Sequence, residues 1–238
     1  MHYKFLAFLL IFSFVIVVFN SCVDTSVQNI TPIDYKSQVQ FVNLAIGVGG
    51  VDIKVDGESF GKVSFGEQMA SYREVSSGAK KVVLDYDAAG VPNDTFSIVF
   101  DTERKMKIFI IGDATTRTFV RADERYIWQT KDSKEGSHLF PADTFQVRIF
   151  HGARGGRSVD NIRIKFGNVD AGIAFTTPLA YGMISSYFKF KVAGVPYTFI
   201  ARSGADSLTS VVITPEVKRR YTVVLYDSPM KSKALIDD

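Results

Sequence analysis

Few side chains in this chain are of the types that do chemistry, and their spacing decides what each can do. There is one cysteine, Cys22, and three histidines, His2, His138 and His151. A zinc site needs clustered histidine or thiolate ligands at short spacing, and no such pair exists here, so no metal and no cofactor is expected. Ser77-Gly78-Ala79-Lys80 and Ser186-Tyr187-Phe188-Lys189 fit a serine-x-x-lysine pattern, but no lysine-threonine-glycine element accompanies either. Asp85-Tyr86-Asp87 followed by Gly90 starts like a calcium loop, yet Ala89 and Phe96 stand where oxygen ligands are required. No residue is assigned to catalysis, and a non-enzymatic role is expected.

The loop Arg154-Gly155-Gly156-Arg157 is the candidate ligand-binding loop, because two glycines flanked by guanidinium groups can form an anion cradle. Asp52 and Asp160, like Asn43 and His151, are expected to satisfy loose backbone groups beside turns. Tyr72 and Tyr187 are expected as buried rings with their hydroxyls tied to loop backbone. The basic clusters Lys80-Lys81, Arg104-Lys105 with Lys107, and Lys218-Arg219-Arg220 each open an expected strand and are assigned to solvent-facing positions or protected edges. Trp128, with Tyr126 and Ile127, is expected in the core.

The elements that position these residues begin with the amino terminus. Lys4 precedes an apolar run from Phe5 to Phe19, interrupted only by Ser13 and leading through Asn20 and Ser21 into Cys22. That run is shorter than the ~20 residues a spanning helix needs, so residues 1–21 read as a secretory signal peptide. Phe19-Asn20-Ser21-Cys22 resembles the lipobox of bacterial lipoprotein precursors, in which the cysteine carries lipid; Cys22 is the expected lipidation site. Phe19 stands where leucine is usual. Residues 22–37 read as a tether with a Thr31-Pro32 break. Val23 rather than aspartate follows Cys22, and the resemblance then implies attachment to the outer membrane of a Gram-negative bacterium, facing the periplasm or the surface.

Beyond the tether the periodicity is two. Val51, Ile53 and Val55 alternate with Asp52, Lys54 and Asp56 before an Asp56-Gly57 turn signal, and 82–86 and 96–100 alternate across a Gly/Pro/Asn/Asp-rich stretch. Further strands are expected near 105–112, 125–129, 145–151, 162–166, 184–190, 197–202, 208–213 and 220–226. No sustained helical period occurs.

The chain also matches itself. VQFVNLA from Val39 corresponds to VRIFHGA from Val147, and Val51-Asp52 follows the first as Val159-Asp160 follows the second. Phe65-Gly66, Ser71-Tyr72 and Gly78 have ordered counterparts in Tyr181-Gly182, Ser186-Tyr187 and Gly194. The polar stretch 130–137 is the seam. Two domains are expected, 38–137 and 138–238, in an all-β chain of two tandem immunoglobulin-like antiparallel β-sandwiches. VQFVN, VDIKVDG, VSFG, ASY and a late glycine resemble the bacterial domain of unknown function 4397. The second copy resembles it less, with Phe166-Gly167, Ala180-Tyr181-Gly182 and His151 at the corresponding places. The resemblance implies secreted or lipid-anchored sandwiches and no established reaction.

The 238 residues are 46% hydrophobic and 22% charged, with a net charge of +3, which excludes disordered and disulfide-framework classes and gives no nucleic-acid footprint. The expected function is that of a membrane-anchored envelope lipoprotein, a binding or structural module for glycan or protein ligands. The alternatives are an adhesin or pilus-type subunit using strand addition and an envelope polysaccharide hydrolase, whose paired carboxylates are defined by spatial separation.

Overall fold

The computed structural model describes residues 34–126, 143–155, 157–173 and 178–237. The signal peptide, Cys22, most of the tether, Ile127, Trp128, the 130–137 seam, His138 and Gly156 lie outside the described residues. In chain order the first half carries β1 (Lys36–Asn43), β2 (Val51–Val55), β3 (Glu58–Val63), β4 (Glu67–Gln68), β5 (Arg73–Ser76), β6 (Gly78–Tyr86), β7 (Asp94–Phe100), β8 (Arg104–Gly112) and β9 (Arg117–Tyr126). The second carries β10 (Thr144–His151), β11 (Asn161–Phe166), β12 (Val169–Ile173), β13 (Phe188–Lys191), β14 (Tyr197–Ser203), β15 (Asp206–Ile213), β16 (Arg220–Tyr226) and β17 (Lys231–Ile236). No helix occurs among the described residues.

Alternation does what it predicts. Val51, Ile53 and Val55 point into the core while Asp52 and Lys54 face water. Asp56 and Gly57 both take positive φ, 51° and 90°, the twist that a two-residue hairpin needs. In the first sandwich β3-β2-β6-β7 covers β4-β1-β8-β9, with β5 also paired to β1; in the second β12-β11-β14-β15 covers β13-β10-β16-β17. Pairing is antiparallel except for β1 with β8 and β10 with β16. Each sandwich has its own apolar centre, Phe41, Ile53, Val82, Phe100 and Ile108 in one and Phe145, Ile149, Ile164, Phe199 and Val223 in the other.

β1, β8, β10 and β16 are buried along nearly their whole length. One face of each packs into its own sandwich, and the other packs against the facing sheet of the neighbouring sandwich. Several expectations are corrected by this. The tether does not reach residue 37, because β1 begins at Lys36 and Ser37 is buried against β5. Lys105, Lys107 and Arg220 are not on a solvent face, whereas Lys81 is exposed. The expected strand at 184–190 is shorter, β13, with Ile184 making only an isolated bridge to Phe150. The strand expected near 125–129 is only the end of β9, which starts at Arg117, and no strand is expected where β17 lies; both complete the two facing sheets.

Candidate functional site

The joint between the sandwiches has an apolar half and an ionic half. Val42, Leu44, Phe109 and Ile111 from the first sandwich meet Phe150, Val224 and Leu235 from the second. Phe109 and Phe150 stack with ring centroids 4.1 Å apart and planes 18° from parallel. The turns that carry the paired glycines lie here as well. Phe65 packs edge-on against Tyr226 across the joint. A side chain at Gly66, held at φ 75°, would come within 3.2 Å of that tyrosine.

The ionic half is built where the facing sheets carry polar residues on the side turned away from their own cores. Lys107 on β8 and Asp237, just past β17, are wholly excluded from water, with Nζ 2.5 Å from Oδ1. The ammonium also donates to Gln68 Oε1 at 3.1 Å and to the Ile236 carbonyl at 3.2 Å. Arg148 on β10 donates through Nε to Thr222 Oγ1 at 2.9 Å and through Nη2 to Glu124 on β9. Thr222 in turn donates to Asp237, whose Oδ2 is 2.7 Å away. Tyr187 brings its hydroxyl to 2.6 Å from Glu124 Oε2 and 2.9 Å from Asp237 Oδ2. The guanidinium groups of Arg148 and Arg220 lie 4.7 and 4.5 Å from the centre of the Tyr187 ring, and Lys105 stands 4.2 Å from that of Tyr72.

Burial and the charge of Asp237 push the Glu124 carboxyl up. Burial acts the same way on Asp237, but Lys107, Arg148 and the hydrogen bonds from Lys107 and Thr222 hold it below the usual carboxylate value. Burial, reinforced by the two acids, raises the phenols of Tyr72 and Tyr187 well above their ordinary range.

Tyr72 bonds a backbone oxygen as expected, though in the other sandwich, whereas Tyr187 departs from expectation by reaching two carboxylates rather than backbone. Tyr72 donates to the main-chain oxygen of Asp237 at 3.3 Å, and Tyr187 reaches Glu124. Asn43, His151 and Asp160 hold backbone groups of nearby loops, whereas Asp52 instead makes a cross-strand ion pair. Asn43 donates to the carbonyls of Gly49 and Val63 and accepts from the Ala45 N–H. His151, at the corresponding place, has Nε2 3.3 Å from the Arg157 carbonyl, while Nδ1 is buried without a partner. Asp160 accepts from the Gly204 N–H at 2.6 Å. Asp52 faces Lys62 at 3.6 Å on the surface.

The candidate loop is less open than an anion cradle would be. Arg154 reaches across to the first sandwich, 2.7 Å from Asp113 and 2.8 Å from the Thr116 carbonyl, and Arg157 lies 2.7 Å from Asp206. The arginines diverge to separate carboxylates, and Gly155 stands between them at φ 69°. In the serine-x-x-lysine stretch, Ser77 is bonded to Ser37 and Lys80 to Asp56. Asp85 and Asp87 face Lys54 and Lys62. No cluster of metal-ligating side chains exists among the described residues.

Two clefts flank the joint. One, of about 450 Å³, lies between the Ser71-Tyr72 turn, Lys105 and Ile236. The other, of about 410 Å³, lies between the Ser186-Tyr187 turn, Arg148 and the β9 segment from Arg121 to Glu124. Each is formed by a turn of one sandwich and an edge strand of the other. The sequence pairs the two turns, but nothing in it showed that each faces the opposite sandwich.

No protein-family profile matches this chain, and no curated protein matches it. Solved structures overlap it only weakly, among them the following two. The Bacillus anthracis TIE protein is 10% identical with a TM-score of 0.26, and the overlap covers 84% of this chain but only 34% of that one. CBMbc, of family CBM26, from Eubacterium rectale Amy13K in complex with maltoheptaose, is 9% identical with a TM-score of 0.24 over 84% of this chain and 95% of that one. Neither likeness bears on function.

Proposed function

We propose that the chain is a membrane-anchored envelope lipoprotein, lipidated at Cys22, whose two sandwiches act as one rigid, non-enzymatic binding or structural module for a glycan or protein of the cell envelope. The observation that carries this reading is the joint. The chain places its buried ionisable groups between two facing sheets, where they hold one sandwich to the other and fix the flanking clefts and end loops in one relative orientation. A fixed arrangement of surface loops on a β framework is how such folds recognise ligands, because ordering costs are met before binding. The resemblance to the domain of unknown function 4397, the lipobox-like Phe19-Asn20-Ser21-Cys22 and the absence of an aspartate after Cys22 support the outer-membrane address.

The test is capture. Soluble protein spanning residues 23–238 is presented to a glycan array and to envelope extracts, and retention of a defined glycan or protein is the expected result. Turnover of an envelope polysaccharide, lost on replacing one acidic residue, would overturn the non-enzymatic reading. Concentration-dependent polymerisation through strand exchange would replace it with the subunit reading. For the anchor, Cys22→Ser is expected to abolish palmitate incorporation, and undiminished labelling would refute it.

A further inference from the structure

We propose that Lys107 and Asp237 condense into an intramolecular amide bond, so that the two sandwiches are stapled covalently across their joint. The two side chains come from different sandwiches, are fully excluded from water, and stand in direct contact, Nζ to Oδ1, at 2.5 Å. Holding reactants in this way replaces an encounter with a fixed approach, and intramolecular arrangements of this kind are worth effective concentrations of about 10⁵–10⁸ M. Burial by itself disfavours charge, but Lys107, Arg148 and Thr222 hold the resting Asp237 as a carboxylate, so the neutral amine and acid arise only as the proton moves along the short contact.

The surrounding hydrogen bonds supply the rest of the chemistry. Two of the three ammonium hydrogens have partners other than Asp237, namely Gln68 Oε1 and the Ile236 carbonyl. When the third passes to Asp237 along the short contact, those two bonds hold the amine, and its lone pair faces the carboxyl it has just protonated. Thr222, whose oxygen already accepts from Arg148, has its one hydrogen to give to Asp237. Donor counting then identifies a proton source. The Tyr187 hydroxyl has a single hydrogen, yet its oxygen lies within hydrogen-bond distance of both Glu124 Oε2 and Asp237 Oδ2. Both contacts are satisfied only if one of the carboxyls carries a proton. Burial and the charge of Asp237 raise the Glu124 carboxyl, against Arg148, Lys107 and the hydrogen bond from Tyr187, which lower it. In the proposed step Glu124 carries that proton and gives it to Tyr187 as Tyr187 gives its own to Asp237.

The step balances without any co-reactant. Lys107 Nζ attacks Asp237 Cγ and a C–N bond forms, with Thr222 and Tyr187 holding the carboxyl oxygens of the tetrahedral intermediate. The C–Oδ2 bond breaks as Oδ2 takes up protons and leaves as water. Of the three ammonium hydrogens, one stays on the amide nitrogen and the equivalent of two leave with the water. Glu124 gives a proton through Tyr187 and recovers one, so it ends as it began. The product is a neutral amide in place of a buried ion pair, and no oxidation state changes.

Peptide mapping by mass spectrometry of the full chain, after denaturation, decides the matter independently of how the amino terminus is processed. The expected product is a branched peptide in which the Lys107 segment and the carboxy-terminal segment are joined, with a mass lower than their sum by one water and no cleavage after Lys107 by a lysine-specific protease. Recovery of both segments only as unmodified linear peptides would overturn the proposal. So would loss of water confined to the carboxy-terminal peptide, which would indicate cyclisation within that segment. Lys107→Met and Asp237→Leu should each abolish the branched peptide. Glu124→Gln keeps the size of the side chain but has no proton to transfer; it should fold with an unchanged near-ultraviolet dichroism spectrum and remain unlinked, while Glu124→Asp restores part of the linkage. Full linkage in Glu124→Gln would remove Glu124 from the step.

Discussion

Replacing Phe109 with alanine measures how far the joint contributes to the stability of the molecule. Phe109 lies on β8 with no exposed surface and stacks on Phe150 of the other sandwich. It faces away from the core of its own sandwich, so the cavity opens between the sandwiches rather than inside one. A fully buried Phe→Ala change costs about 3–5 kcal/mol, part of it the ~0.5–1.5 kcal/mol specific to a ring pair. For a chain of this size each kcal/mol lowers Tm by roughly 2–4 °C, so a fall of about 6–20 °C is expected. Urea denaturation of Phe109→Ala, Phe150→Ala and the double variant separates the pair from the rest. The double variant should cost less than the two singles together, because the second truncation removes a ring that has already lost its partner. A loss below about 1 kcal/mol for Phe109→Ala would mean that the position is not closed in solution, and the rigid-module reading would fail with it.

His151→Asn should flatten the acid side of the stability curve. Burial lowers the His151 pKa from the ordinary value of 6.5. The unfolded chain therefore binds the proton more readily, and the stability complete above about pH 6.5 is lost progressively as pH falls below it. Asparagine, which stands at Asn43 in the first sandwich, does not titrate, so an unchanged slope of Tm against pH in the variant would refute this. Gly112→Ala should be among the most damaging small changes, since φ is 116° and the added Cβ would lie 2.2 Å from the Thr116 carbonyl; a loss of under about 1 kcal/mol by denaturant titration would contradict it. Arg154→Ala with Arg157→Ala should cost no more than about 1 kcal/mol per half-exposed pair. If this loop contacts an anionic envelope group, the double variant should also weaken capture at low salt and less so as salt rises. Unchanged capture at low salt would leave these arginines with only their partners Asp113 and Asp206.

The strands whose two faces differ were legible because water and core write opposite residues on them, as in Val51-Asp52-Ile53-Lys54-Val55. The facing sheets have no solvent face, and there the same rule misleads. In Met106-Lys107-Ile108-Phe109-Ile110-Ile111 the lysine reads as an outward residue of a half-exposed strand, but Ile108 and Phe109 point to opposite faces and both are fully buried. A cation set in a run that is apolar on both faces has no water to turn to, so it must meet an acid. That signal was present in the sequence, whereas its partner was not. Glu124 and Asp237 sit on or beside edge strands, Arg117–Tyr126 and Lys231–Ile236, whose inward faces meet both halves of the joint, with Val120, Ala122 and Leu235 in the apolar half and Glu124 and Asp237 in the ionic one. The ordered pairs Gly66 and Gly182, Tyr72 and Tyr187 had the same origin. They mark turns that each sandwich lends to the other, so spacing could show that they were equivalent while only the third dimension could show that they face across.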